Sequence, residues 1–117
     1  MKILFVDDHP DAKLLAIILG DKTGDEVIFA DNGKSALEIF GEEGNIDVVI
    51  TDGDMPLMNG AELAKEIHKI NPSIRIALVS SSIEKYQPLV EGIADCFDKV
   101  KFPVDNPLQP LINWIKK

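Results

Sequence analysis

Asp47-Val48-Val49-Ile50-Thr51-Asp52-Gly53-Asp54-Met55-Pro56 reads as a buried strand that stops at a sharp turn. Apolar side chains fill consecutive positions at Val48, Val49 and Ile50, which suits a strand covered on both faces, as in a parallel sheet. Ile76-Ala77-Leu78-Val79 repeats the pattern. Outward from these two runs the predicted strands are Lys2–Val6, Glu26–Ala30, Asp47–Thr51, Arg75–Ser80 and Cys96–Lys99. Between them lie amphipathic stretches of helical period: Leu14, Leu15, Ile18 and Leu19; Ala36, Leu37 and Phe40; Leu63, Ile67 and Ile70. Pro10, Asn32-Gly33 and Asn71-Pro72 supply helix start and stop signals. Strands alternating with helices in this way predict an α/β fold of five β/α units around a parallel sheet.

The fourth unit is irregular. Pro88 would clash with the carbonyl four residues before it inside a helix, so a short helix is expected to begin near Tyr86 to Pro88 and end at Gly92. The fifth helix is expected over Pro107–Lys116, with Pro110 in its first turn.

Composition bounds the remainder. The 117 residues are 45% apolar and 27% charged, enough for one domain with its own core. Cys96 is the single cysteine, so no internal disulfide can form. No apolar run approaches the ~20 residues of a membrane span, and Asp7-Asp8 ends the N-terminal run too early for a signal peptide. A soluble, cytoplasmic protein is expected. With 12 Lys+Arg against 20 Asp+Glu the net charge is −8, the wrong sign for binding a phosphate backbone, so direct nucleic-acid contact is not expected.

Position makes certain polar residues notable. Asp7 and Asp8 follow the first predicted strand, Asp52 the third, while Ser80 and Lys99 end the fourth and fifth. In a parallel sheet those ends share one edge, where such folds bind ligands. Crowded carboxylates there would repel unless a cation joined them, and oxygen-only ligands with room for water suit Mg²⁺. A carboxylate beside Mg²⁺ can attack a phosphoryl group, with Lys99 and Ser80 neutralising and orienting the transferred oxygens. Taken singly, each residue has a plainer reading. Asp7-Asp8 could cap the following helix, Asp52 could be a turn residue, Ser80 could be plain loop within Ser80-Ser81-Ser82, and Lys99 a solvated lysine with Lys101 as its competitor. His9 and His68 have no metal-ligand spacing and are expected to face solvent. Cys96 is expected as a small buried apolar residue and Trp114 as core.

Ile3-Leu4-Phe5-Val6-Asp7-Asp8-His9, Asp52-Gly53-Asp54-Met55-Pro56-Leu57-Met58-Asn59-Gly60, Ser80 after an apolar run, and Lys99 seven residues after Gly92 together resemble the receiver domain of two-component response regulators. The resemblance covers essentially the whole chain, residues 1–117. It implies a doubly wound, flavodoxin-like (βα)5 fold with a five-stranded parallel sheet in the order 2-1-3-4-5. It implies Asp52 as the phosphoacceptor, Asp8 as a direct Mg²⁺ ligand, Asp7 as a ligand through water, and Asp54 as a backbone-carbonyl ligand, with Mn²⁺ able to substitute. Ser80 would hydrogen-bond the phosphoryl oxygen, and Lys99 would pair with Asp52 and then with the phosphate. The implied donor is a sensor histidine kinase or a phosphotransfer protein, and the output a phosphorylation-dependent contact with another protein. Such a domain is not an enzyme but a phosphoacceptor that assists its own modification and its reversal.

Three departures from the family pattern bear on transmission. Cys96 stands where an aromatic is common on the last strand, with Phe97 on the opposite face; Val100 replaces the proline that usually follows the lysine; and the segment between Ser80 and Gly92 is short. Coupling to the surface of the fourth and fifth helices is therefore expected to be weakened or differently routed. Two rivals remain open to test. Val48-Val49-Ile50-Thr51-Asp52-Gly53-Asp54 also resembles the start of haloacid-dehalogenase-type phosphatases, though Pro56 stands where Thr or Val is usual. The other is a phosphate-independent interaction module with a receiver-like fold.

Overall fold

The computed structural model describes residues Met1–Lys117. Its elements are β1 (Lys2–Val6), α1 (Ala12–Thr23), β2 (Glu26–Ala30), α2 (Gly33–Glu43), β3 (Val48–Asp52), α3 (Gly60–Ile70), β4 (Arg75–Ser80), α4 (Ile83–Tyr86), β5 (Asp95–Asp98) and α5 (Gln109–Ile115). The five strands form one sheet in the order β2-β1-β3-β4-β5, every pair parallel. The doubly wound arrangement expected from the sequence is therefore present. No helix is long and apolar enough to cross a membrane.

Strand alternation sorts the core into two layers. Leu4, Val6, Val49, Ile76 and Leu78 pack against α2, α3 and α4 through Ala36, Phe40, Leu63, Ile67 and Tyr86. Ile3, Phe5, Val48, Ile50, Ala77 and Val79 face α1 and α5 through Ala16, Leu19, Leu111 and Trp114. With helices on both faces, the central strands have no wet side, which is why their sequence reads as continuous apolar runs. Cys96 and Phe97 divide by the same parity, Cys96 against the first layer and Phe97 against the second.

Two helix starts are legible to the atom. Asn32 accepts a hydrogen bond from the Ser35 N–H at 2.8 Å. Asn59 and Glu62 form a reciprocal capping box over the first turn of α3, each side chain accepting from the other's backbone N–H. Asp7-Asp8 does not cap α1, whose N-cap is Asp11 with no side-chain hydrogen bond.

Several expected boundaries move, each for an identifiable reason. β3 runs one residue further than expected and includes Asp52, paired with Val79 of β4. β5 stops one residue earlier, because the Asp98 carboxylate accepts from the Val100 N–H at 3.1 Å and opens a 3-10 turn at Lys99–Lys101. α4 begins at Ile83, not near Tyr86 to Pro88, and it passes at Gln87 into a 3-10 turn, Gln87–Leu89. Pro88 thus governs the end of that helix and not its start, since the tighter turn accommodates a residue without an N–H. α5 is shorter than expected, with Pro110 in its first turn.

Among single residues, His9 is exposed as expected, but His68 is half-buried with Nδ1 enclosed and unpartnered. Cys96 is half-buried and not fully enclosed. Trp114 is core: its indole donates to Asp95 at 2.7 Å while the Arg75 guanidinium lies 4.4 Å over the ring and donates to the Trp114 carbonyl. A helix as short as α5 has no stability of its own. This clamp fastens it to the starts of β4 and β5.

Gly60 sets the approach of α3 to β3. Its N–H donates to the Gly53 carbonyl at 2.9 Å, and a Cβ on it would overlap the Asp52 carbonyl oxygen and press on the Gly53 Cα. Gly60→Ala should therefore destabilise the fold by about 1–3 kcal/mol, as overpacking does. Gly41→Ala, at an open position inside α2, should stabilise it by about 0.5–1 kcal/mol. Urea unfolding of both variants checks the contrast, and equal effects would show that this approach is not tight.

Candidate functional site: an acidic edge of the sheet

All strands of the sheet end on the same side, and the loops there carry the charged residues. Asp7 directly follows β1, where its N–H donates to the Ala30 carbonyl of β2 at 3.1 Å. Its buried carboxylate accepts from the His9 N–H at 2.9 Å, which folds the loop back and leaves Asp8 exposed beside it. Asp52 ends β3 and is held by the ladder, and Gly53 is tied across to Val79 of β4 at 2.8 Å. Lys99 arrives from the turn after β5 and places Nζ 3.6 Å from Asp52 Oδ1. The structure thus brings together Asp7, Asp8, Asp52 and Lys99.

Carboxylate oxygens of Asp7, Asp8 and Asp52 lie within 4.8 Å of one another. Burial lifts the Asp52 carboxyl to about 6, Lys99 opposes that rise, and the charges of Asp7, Asp54 and Asp8 add to it. The Asp52 side chain is only 10% exposed, and it lines a cleft of about 290 Å³ together with Phe5, Ile50, Val79 and Leu108. A long ion pair with one half-exposed lysine does not balance three carboxylates. The set fits a hard divalent cation, which oxygen donors with solvent access favour.

Asp54 is placed differently from the other acids. Its carboxylate turns away from them, accepting from Ser80 Oγ at 2.8 Å and from Tyr86 Oη at 2.6 Å. Tyr86 and Ser80 hold the Asp54 carboxyl below its usual range, and the same bond pushes the Tyr86 phenol up to about 12. Ser80 stands at the expected strand end, but in this state its hydroxyl proton goes to Asp54. Tyr86 is the residue that the sequence reading missed. The signal was there in Ile83, Tyr86 and Val90, spaced as one helical face, because a tyrosine on a buried face must find a partner for its hydroxyl.

With this geometry in place, comparison with known proteins is decisive. Residues 3–103 match the family model of the response regulator receiver domain. The chain belongs to that family. A response regulator receiver protein of Anaeromyxobacter is 41% identical over 83 residues, covering 70% of this chain and 34% of that protein. The sensor histidine kinase RcsC of Escherichia coli is 35% identical over 103 residues, covering 85% of this chain and 11% of RcsC. The chain thus spans about a third of the first of these relatives and about a tenth of the second. Among solved structures, the response regulator TrrA of Thermotoga maritima, in complex with Mg²⁺ and BeF, superposes with a TM-score of 0.82 at 32% identity, covering 98% of this chain and 96% of that one. The Vibrio cholerae chemotaxis protein CheY4 superposes with a TM-score of 0.80 at 27% identity, covering 98% and 96%. The receiver fold and its phosphoacceptor role in two-component signalling follow from that membership.

The raised Asp52 carboxyl has a consequence for stability. Without a divalent cation, the folded receiver holds the Asp52 proton up to about pH 6 while the unfolded chain releases it near pH 4. Between those values the folded state binds more protons, so this group makes stability fall as pH rises through the window. In chelator, Asp52→Asn should therefore be more stable than wild type at pH 7, by up to about 3 kcal/mol, and nearly equal to it at pH 4. Thermal denaturation at both pH values tests this. A difference that does not change with pH would show that Asp52 is not crowded.

Proposed function

We propose that Asp52 is the phosphoacceptor of this receiver, that Asp7, Asp8 and the Asp54 backbone carbonyl hold Mg²⁺ or Mn²⁺ with it, and that Ser80 and Lys99 receive the phosphoryl oxygens. The observation that carries the reading is the convergence of three carboxylates from the ends of β1 and β3, with Lys99 on Asp52. A bound divalent cation supplies the charge neutralisation that lets an anionic carboxylate approach an anionic phosphoryl group.

An Asp52 oxygen attacks the phosphorus of a phosphohistidine, forming a P–O bond as the P–N bond breaks, and the departing imidazole nitrogen keeps the electron pair. At neutral pH Asp52 is ionised for this attack, its carboxyl lying at about 6 before any cation binds. Lys99 starts paired with Asp52 and follows the charge to the phosphoryl oxygens. Ser80 must leave Asp54 to donate there. The outcome is one acyl phosphate per chain, so the domain acts as a stoichiometric acceptor and not as an enzyme that turns over. Its donor is a sensor histidine kinase or a phosphotransfer protein, in keeping with a relative that is itself a sensor kinase. Its output is contact with another protein, without direct binding of nucleic acid. We place the whole of residues 1–117 in this one domain and the domain in the cytoplasm. The phosphatase alternative requires a free general acid at Asp54, whose carboxylate is instead held by Ser80 and Tyr86.

Incubation with acetyl phosphate and Mg²⁺ should add one phosphoryl group by intact mass, and chelator or Asp52→Asn should abolish it. Labelling of Asp52→Asn at the wild-type rate would move the acceptor elsewhere. In Mg²⁺ titrations, Asp7→Ala should weaken binding about ten-fold, as loss of an outer-shell group does, and Asp8→Ala should weaken it more. Equal affinity in all three proteins would refute this ligand set. Lys99→Ala should leave metal binding largely intact and blunt the amide shifts caused by phosphorylation, with Lys101→Ala as the control. The reverse result would mean that the cation of the fifth unit is Lys101.

A further inference from the structure

Behind the acidic cluster, Ser80 belongs to a hydrogen-bonded group whose other side chains, those of Asp54 and Tyr86, the transfer chemistry leaves unused. Ser80 Oγ donates to one oxygen of Asp54 at 2.8 Å, Tyr86 Oη donates to the other at 2.6 Å, and the Ser82 N–H donates to Ser80 Oγ at 2.9 Å. Ser80 is completely buried and Tyr86 nearly so. Both crowd the same backbone point, since a Cβ on Gly53 would come within 2.9 Å of the Tyr86 ring and 3.0 Å of Ser80 Cβ. The aromatic against Ser80 therefore comes from α4. β5 offers only Cys96 on that face and sends Phe97 to the other.

A serine hydroxyl has one proton to donate. In the unmodified chain that proton is held by Asp54. A phosphoryl group on Asp52 presents a second anionic acceptor and repels the Asp54 charge. If Ser80 turns to it, Asp54 keeps Tyr86 as its only side-chain donor. Tyr86 closes a four-residue helix that continues as a three-residue 3-10 turn, and elements that short depend on their tertiary contacts to stay in place. We propose that Tyr86 is a positioning residue which, through the Asp54 carboxylate that it shares with Ser80, couples the state of Asp52 to the Ile83–Leu89 surface. This coupling rests on the reading of Asp52 as phosphoacceptor and replaces the missing strand aromatic by a different route. Tyr86 has a second effect, because its bond satisfies part of the Asp54 charge and so loosens the hold of Asp54 on Ser80.

Tyr86→Phe keeps the ring and removes the donor, and NMR titration with beryllofluoride and Mg²⁺ reads the result. The variant should bind about three- to ten-fold more weakly than wild type, the net worth of one ordinary hydrogen bond, since Tyr86 acts on Ser80 only through the Asp54 carboxylate. Its amide shifts from Ile83 to Leu89 should fall to about half or less, while those at Asp52, Gly53 and Lys99 persist at saturation. A packing role for the tyrosine would act with or without Asp54, so the double-mutant cycle decides between the two. In an Asp54→Ala background, Tyr86→Phe should change neither affinity nor shifts. Wild-type affinity and wild-type shifts in Tyr86→Phe would overturn the coupling while leaving the phosphoacceptor reading intact, and so would an equal effect in both backgrounds. Absence of any shift at Asp52 and Gly53 in the wild-type protein would instead overturn the phosphoacceptor reading, and the coupling with it.

Discussion

Carboxylate repulsion at one edge of the sheet is the constraint to which the surrounding structure responds. Parallel strands deliver all their C-terminal ends to the same side, so acids at the ends of β1 and β3 are forced within 4.8 Å of one another. Each acid is accommodated differently. Asp7 is buried and accepts from a backbone N–H, Asp8 stays exposed, Asp52 shares the ammonium of Lys99, and Asp54 is turned aside onto two hydroxyls. What stays uncompensated is the Asp52 side of the cluster, which is where a cation and then a phosphoryl group would be most stabilising.

The fold separates a rigid reacting edge from a yielding one. Asp52 sits within the ladder, pinned from behind by the contact of Gly60 with its carbonyl and from the side by the bond of Gly53 to Val79. α4 and α5, by contrast, have four and seven residues. Beyond the buried apolar side chains of these two helices, few polar links hold them: Tyr86 to Asp54 for α4, and Arg75 and Asp95 to the Trp114 end for α5. A charge change at Asp52 therefore meets a stiff backbone on one side and a lightly held helix on the other. Local elements of low intrinsic stability are the ones free to move.

The five strands, the three long helices and the acids at the strand ends were legible because each rests on local pattern: apolar runs, helical spacing, and Asn32 ahead of the second helix. The strand order was not local, and it came from the resemblance to receivers. α4 starts earlier than Pro88 alone implies, because the proline fits the 3-10 turn that ends the helix while Ile83 and Tyr86 form its buried face. The parity of Cys96 and Phe97 was legible, since alternation along a strand fixes which face a side chain takes. What replaces the absent aromatic was not, because Tyr86 and Asp54 are 32 residues apart and no periodicity links them. The enclosed Nδ1 of His68 was equally invisible, as its surroundings come from packing and not from neighbouring sequence.

The most direct test is chemical mapping of the acceptor. After transfer from a phosphorylated histidine protein in Mg²⁺, borohydride reduction converts an aspartyl phosphate to homoserine, and peptide mass spectrometry then locates it. Homoserine confined to position 52 is the predicted result. Homoserine at position 7, 8 or 54, or stable label on a histidine with none at position 52, would contradict the assignment of the acidic edge as a site built around Asp52.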